Sequence, residues 1–249
     1  MNYIELTEKA KKLRQKTFQS FIEKGEAHLG GSFSMIEALI AIFEILKKKN
    51  DKFILSKSHA SFPLCILLRE KGLKPKISTH LEIDEKNGIN CTTGSLGHGL
   101  PIATGMALAN KLKKNNNKIY VMMSDGECQE GTTWESLLIA SKHKLNNLVI
   151  FIDYNKIQAL SKIKDVLPLD NLDHKFKSFN INTINVRNGH SFKEIDSAFK
   201  KISSKKTNVI ILNTIKGKGI PKFENDPVWH ARQLTSNDIL IGRKDLFAK

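Results

Sequence analysis

Four short runs of uninterrupted apolar residues, at 53–55, 119–123, 148–152 and 209–212, constrain the fold more than any other feature of this chain. They do not alternate with polar residues. A strand with one face in water reads as an alternation, whereas a strand covered on both faces reads as continuously apolar. Between the runs lie helical patterns. Strand–helix alternation of this kind makes an open, mostly parallel α/β sheet with helices on both faces. No repeat or low-complexity linker divides the 249 residues, so a single domain spanning 1–249 is expected.

Helix starts are expected where a Ser or Thr precedes a Glu by three positions, because the two side chains can cap each other's backbone N–H groups. Ser34 with Glu37, Thr132 with Glu135 and Ser191 with Glu194 fit that spacing. The first opens an apolar face of Met35, Ile36, Leu39, Ile40, Phe43 and Leu46. The N-terminal segment places Leu6, Ala10, Leu13, Thr17 and Phe21 on one stripe, which reads as an amphipathic helix rather than a signal peptide. The longest apolar stretches are too short or too interrupted to span a bilayer.

Composition narrows the function classes. Cys65, Cys91 and Cys128 are odd in number, widely spaced and without a CxxC pair. A disulfide framework or zinc site is not expected, and a reducing cytoplasm fits. The net charge of +15 raises the question of nucleic acid. Yet the lysines close helices, as in Lys47-Lys48-Lys49 and Lys200-Lys201, where cations suit the helix dipole. Aromatics are only 7% and do not interleave with a basic cluster. The charge is read as solvated faces that also attract phosphorylated sugars; neither nucleic acid nor membrane is an expected partner.

In an open α/β sheet, ligands bind at the carboxyl ends of the strands. Here those ends carry Ser124-Asp125-Gly126, Asp153-Tyr154-Asn155 and Lys216-Gly217-Lys218-Gly219. A right-handed crossover brings the ends of two such strands to the same sheet edge. Asp125 and Asn155 therefore converge although thirty positions separate them. Mg²⁺ takes about six oxygens at roughly 2.1 Å and is held by few protein carboxylates when a phosphorylated ligand supplies the rest. Asp125 offers a carboxylate, Asn155 an amide oxygen and Ile157 a backbone carbonyl. Gly126 removes the side chain that would obstruct a phosphate.

These segments resemble the thiamine diphosphate motif of the transketolase family, a GDG…N signature met here as SDGECQEG at 124–131 and DYNKIQ at 153–158. Ser124 stands in place of the family's first glycine. The likeness continues through GEAHLGGSFSMIEAL at 25–39, DKFILSKSHAS at 51–61, TTGSLGHGL at 92–100 and TIKGKGIPKFENDPVWH at 214–230. Ser58 replaces a usual glycine in the second of these.

The resemblance implies a thiamine diphosphate-binding fold of the diphosphate (PP) type, with thiamine diphosphate and Mg²⁺ as cofactors and Ca²⁺ or Mn²⁺ as substitutes. It implies cofactor contacts from His59, Gly94, Ser95, Leu96, Asp125, Gly126, Glu127, Asn155, Ile157 and His230, with Asp125, Asn155 and Ile157 on the metal. It implies catalytic roles for His28, His80, His230 and Glu130, the glutamate being part of a proton network at a subunit interface. Imidazole suits this work because it donates to phosphate or sugar oxygens and moves protons near neutral pH. His98 would support the glycine-rich turn. His143 and His174, among lysines, are read as surface residues, and Asn188-Gly189-His190 as a structural turn before a helix.

The family chemistry moves a two-carbon ketol unit from a ketose (phosphate) to an aldose (phosphate). Members of full length continue with a pyrimidine-binding and a C-terminal domain, so this chain resembles the N-terminal subunit of a split transketolase. The implied partners are a C-terminal pyrimidine-binding subunit, a second copy in a dimer of heterodimers (a heterotetramer), and sugar phosphates. Activity is expected only with the partner. Pentose phosphate metabolism and specialised sugar synthesis both fit. Two further readings are a related thiamine diphosphate enzyme for an unusual sugar and a non-catalytic basic binding protein.

Overall fold

The computed structural model describes residues 2–25, 28–159 and 161–247. Five parallel strands form one sheet in the order β1-β2-β3-β5-β4. In chain order the elements are α1 (Tyr3–Lys24), α2 (Leu29–Ser34), α3 (Ile36–Ala41), β1 (Lys52–Leu55), α4 (Phe62–Glu70), α5 (Gly99–Leu112), β2 (Ile119–Ser124), α6 (Gly131–Lys142) and β3 (Leu148–Tyr154). They continue with α7 (Ile163–Val166), α8 (Leu172–Ser178), β4 (Asn182–Val186), α9 (Phe192–Phe199), β5 (Asn208–Asn213) and α10 (Ser236–Phe247).

Alternate residues of β1, β2, β3 and β5 feed two separate cores. Phe53, Leu55, Tyr120, Met122, Val149, Phe151, Ile210 and Leu212 pack under α1, α3, α4 and α9. Ile54, Val121, Met123, Ile150, Ile152, Val209 and Ile211 pack under α5, α6 and α8. Burial on both faces is why the runs are continuously apolar. At about 25 cal/mol per Å² of apolar surface, such doubly covered strands are a main source of folding free energy.

The topology decides where the site lies. The path from β1 through β2 to β3 moves in one direction, with α5 and α6 on one face. The step from β4 back to β5 reverses direction, and α9 packs on the other face. A crossover that keeps one hand must change faces when it reverses. All five strands point the same way, so their carboxyl ends gather at one edge.

Several sequence expectations need correction. β4, with the sequence NTINV, was not foreseen: it is one of the two edge strands, and its polar residues at 182, 183 and 185 hide the apolar run. Ser34 is the last residue of α2 rather than a cap, and its hydroxyl donates to Asp153 at 2.5 Å. Glu37 is drawn away to Arg14 and His190. Thr132 lies inside α6, which starts at Gly131, and its hydroxyl donates to the Gly97 carbonyl at 2.9 Å. Ser191 does cap α9, accepting from the Glu194 N–H, although the Glu194 carboxylate turns to Asn188 N instead of completing the pair. Reciprocal boxes form instead at Ser124 with Glu127 and, ahead of α10, at Thr235 with Asp238.

α1 buries the expected stripe, is capped by Asn2 and ends at Gly25 in the left-handed region. The three cysteines are buried and free. Among the described residues, no helix is long and apolar enough to cross a membrane.

Candidate active site

Asp125 follows β2 and Asn155 follows β3, and both line one cavity of about 250 Å³ at the carboxyl edge. The cavity also takes in Gly31, Lys57, His59, Leu96, Gly126, Glu130, Ile157, Lys216 and His230. Nine sequence-predicted residues thus meet there: His59, Leu96, Asp125, Gly126, Glu130, Asn155, Ile157 and His230 as walls, and His28 behind them.

The Asp125 carboxylate is 1% exposed. It accepts from Gly126 N at 2.9 Å and Lys156 N at 2.6 Å. Burial, and then the nearby Asp153 charge, push it up to about 7 against these donors. Asn155 is fixed by a local turn, its Oδ1 accepting from Ile157 N at 3.1 Å. Lys156 between them has φ 67°, in the left-handed region that folds this tight turn.

Beneath the cavity lies a buried polar cluster. Asp153 forms an ion pair with Lys57 and accepts from the Ser34 and Thr214 hydroxyls. Burial alone would raise Asp153, but the Lys57 ammonium and these hydroxyls bring it below the ordinary carboxylate value. Lys57 also donates to the Gly31 carbonyl at 2.9 Å. Lys216, 1% exposed, donates to the carbonyls of Ile157 at 3.3 Å and Gln158 at 3.1 Å. Burial and the neighbouring Lys57 charge lower it to about 8. The carbonyl expected to ligate a metal therefore already faces an ammonium.

His28, His59 and His230 form a triangle of rings with centroids 5.2 to 5.8 Å apart. Burial, followed by the Lys57 charge, lowers His59 well below its usual value. Burial, followed by Lys216, lowers His230 to about 4. Both are neutral at pH 7 and can donate and accept.

Some predicted residues fall elsewhere. The Glu127 carboxylate does not line the cavity. It is fully buried and accepts from Ser56 Oγ, Gly97 N at 3.0 Å and Ser124 N at 2.9 Å, so it ties the β1 end, the glycine turn and the β2 end together. His80 is exposed, outside the cavity, and packed against Gly94 so closely that a methyl there would sit 2.6 Å from its ring. Gly94 and Ser95 also stand back from the cavity, whereas Leu96 reaches it. His98 stays at its turn, with Nδ1 3.0 Å from the Leu96 carbonyl. Lys57 and Thr214 carried no site role in the sequence, and Asp153 and Lys216 were placed only as strand-end residues. A single lysine in so lysine-rich a chain gives no signal; only its burial marks it.

The family model for the transketolase thiamine diphosphate binding domain matches residues 7–248. The chain belongs to the transketolase family. Among relatives of this transketolase-family chain, an apulose-4-phosphate transketolase subunit from Actinobacillus succinogenes is 32% identical, with 99% of this chain and 97% of that protein covered. The 6-deoxy-6-sulfo-D-fructose transketolase subunit SqwG of a Clostridium species is 34% identical, with 93% and 92% covered. The crystal structure of transketolase from Campylobacter jejuni superposes with a TM-score of 0.88 at 26% identity, covering 99% of this chain but 43% of that one. This transketolase chain thus matches subunits of its own length and part of longer enzymes, and its open parallel sheet is the thiamine diphosphate-binding fold.

The residues present fit a diphosphate held with a divalent cation. Asp125 is a buried carboxylate whose charge the chain leaves under-compensated, and the Asn155 and Ile157 oxygens border the same space. Lys57, Lys216 and two imidazoles face it with donors. Among the described residues no three His, Cys, Asp or Glu side chains cluster for a metal; one carboxylate with amide and carbonyl oxygens is instead the donor set of a phosphate-bridged hard cation.

Proposed function

We propose that this chain is the diphosphate-holding subunit of a two-chain transketolase, binding thiamine diphosphate through Mg²⁺ and working only with a C-terminal partner. The observation that carries this reading is the meeting of Asp125, Asn155 and Ile157 with Lys57, Lys216, His59 and His230 around one strand-end cavity. Asp125 and Asn155 would hold the cation, with Ile157 O joining once the Lys216 ammonium turns to phosphate. Gly126 leaves room beside them, since even an added methyl would meet only Gln158 at 3.6 Å. His59 and Lys216 donate to the diphosphate. When bound, the thiamine group supplies the nucleophile for a ketose carbonyl and accepts the two-carbon unit.

The chain's own contribution is anchoring and proton handling. His28 and His230, mutually packed, bind sugar hydroxyls and hold or pass a proton at their ring nitrogens. His80, exposed beside Gly94, would contact a longer substrate. Glu130 lies on the cavity rim at the start of α6, next to a face where Ile102, Leu138 and Ile139 stay 41%, 60% and 48% exposed on α5 and α6. A second copy covering that face would bring Glu130 into the interface and give a dimer of heterodimers. Buried free thiols suit a reducing cytoplasm.

The names of the two subunit-length relatives favour a donor outside central pentose phosphate metabolism: one is named for apulose-4-phosphate, the other for 6-deoxy-6-sulfo-D-fructose. The test is turnover of a ketose panel by the purified chain with and without a C-terminal transketolase subunit, in Mg²⁺ and thiamine diphosphate. Turnover only by the assembled pair is expected. Clear turnover by the lone chain contradicts the two-chain reading.

A further inference from the structure

The turn Asn188-Gly189-His190, which the sequence marks only as a connection into α9, is tied to the backbone that leads into the site. His190 Nε2 accepts the backbone N–H of Ile215 at 2.8 Å. Its Nδ1 lies 2.9 Å from Glu37 Oε2. A ring nitrogen that accepts from an amide carries no proton, so the hydrogen sits on Nδ1 and is donated to Glu37. Glu37 is held in turn by Arg14 Nη2 at 2.7 Å, and Arg14 also donates to the Phe33 carbonyl at 3.3 Å. The chain of contacts runs from α1 through α3 to residue 215.

The next residue is Lys216, whose ammonium reaches the cavity. The surrounding backbone is held with equal care. Gly189 N donates to Asn213 O at 2.7 Å, Gly217 N to Gly30 O at 3.0 Å and Asn225 N to Lys216 O at 2.9 Å. A methyl on Gly189 would stand 2.7 Å from Thr214 Cγ2 and 3.0 Å from Asn213 O. Arg14 packs against Gly219, where an added methyl would sit 2.5 Å from its Cδ. A lysine side chain is a flexible four-carbon stem, so an ammonium is aimed at one spot only if its backbone is immobile.

We infer that His190, oriented by Glu37 and Arg14, is a positioning residue: it pins the 215–217 backbone so that Lys216 presents its ammonium to an anionic diphosphate. This rests on the diphosphate reading of the cavity. His190 touches no substrate and acts through the Ile215 amide.

The test uses the full chain without thiamine, with Mg²⁺ and inorganic pyrophosphate as the probe. Three forms are compared: wild type, His190→Phe, which fills the space without an acceptor, and His190→Gln, whose amide oxygen can replace Nε2. Amide hydrogen exchange is followed residue by residue and pyrophosphate affinity by calorimetry. In His190→Phe, exchange at Ile215 is expected to rise by about tenfold relative to amides of β3, and pyrophosphate affinity to fall by about tenfold. His190→Gln is expected to restore both. Faster exchange at Ile215 with unchanged pyrophosphate affinity overturns the inference, as does a uniform rise in exchange across the sheet, which marks a purely structural histidine. A wild-type chain that does not bind magnesium pyrophosphate overturns the diphosphate reading itself, and the inference with it.

Discussion

Asp125 directly follows β2 and Asp153 lies in the neighbouring parallel strand β3, yet their surroundings set them to different work. Asp153 sits in a fully buried pair with Lys57 and accepts two hydroxyls, so its charge is answered within the chain. Asp125 receives only two backbone N–H groups and is pushed up to about 7 by burial and by Asp153. The first carboxylate braces the floor; the second is left for a cation. Breaking a buried ion pair from one side leaves an uncompensated charge, which costs about 3–5 kcal/mol. Lys57→Met is therefore expected to destabilise the chain by that amount in urea unfolding, with Asp153→Asn in the same background recovering part of the loss. An unchanged midpoint for Lys57→Met would contradict the bracing role.

At the scale of elements, the Arg14–Glu37–His190 contacts join α1, α3 and the turn before α9. Burial alone would raise Glu37, but Arg14 and then His190 bring it down to about 2 from 4.5. Its folded value lies below the unfolded one. The stability it contributes is thus fully present above about pH 4.5 and is lost as pH falls through about 2, and it is of the order of 3 kcal/mol. Urea unfolding of wild type and Glu37→Gln should show a gap that is constant from pH 7 to 5 and closes toward pH 2. A gap that widens on acidification would contradict the sign.

The same elements show what the sequence made legible. Strands covered on both faces announced themselves, because apolarity at every position leaves few alternatives, and the convergence of Asp125 with Asn155 followed from crossover handedness. β4 did not, since Asn182, Thr183 and Asn185 interrupt its apolar run. The Ser34 and Thr132 boxes failed for one reason: each hydroxyl found a tertiary acceptor, in Asp153 and in Gly97, that local spacing cannot reveal. Glu127 was placed on the right loop, but inward-facing donors on Ser56, Gly97 and Ser124 turn it away from the cavity. Lys57 and Lys216 stand out only by burial, which depends on the whole sheet edge.

For the whole molecule, Leu96 and Glu130 line the cavity, and α5 and α6 leave Ile102, Leu138 and Ile139 exposed. Apolar side chains in such a face are worth covering at roughly 25 cal/mol per Å². Paired Ile102→Asp and Leu138→Asp substitutions are expected to shift the assembled enzyme to half its mass in analytical ultracentrifugation while thermal stability of the isolated chain changes little. Undiminished mass would place the second copy elsewhere. The most direct test of the central claim is calorimetric titration of thiamine diphosphate with Mg²⁺ into the pair formed with a C-terminal subunit, for wild type and Asp125→Asn. Metal-dependent binding by wild type and a loss of at least about 100-fold in the variant are expected. Equal binding by both, or none by wild type, would contradict that claim.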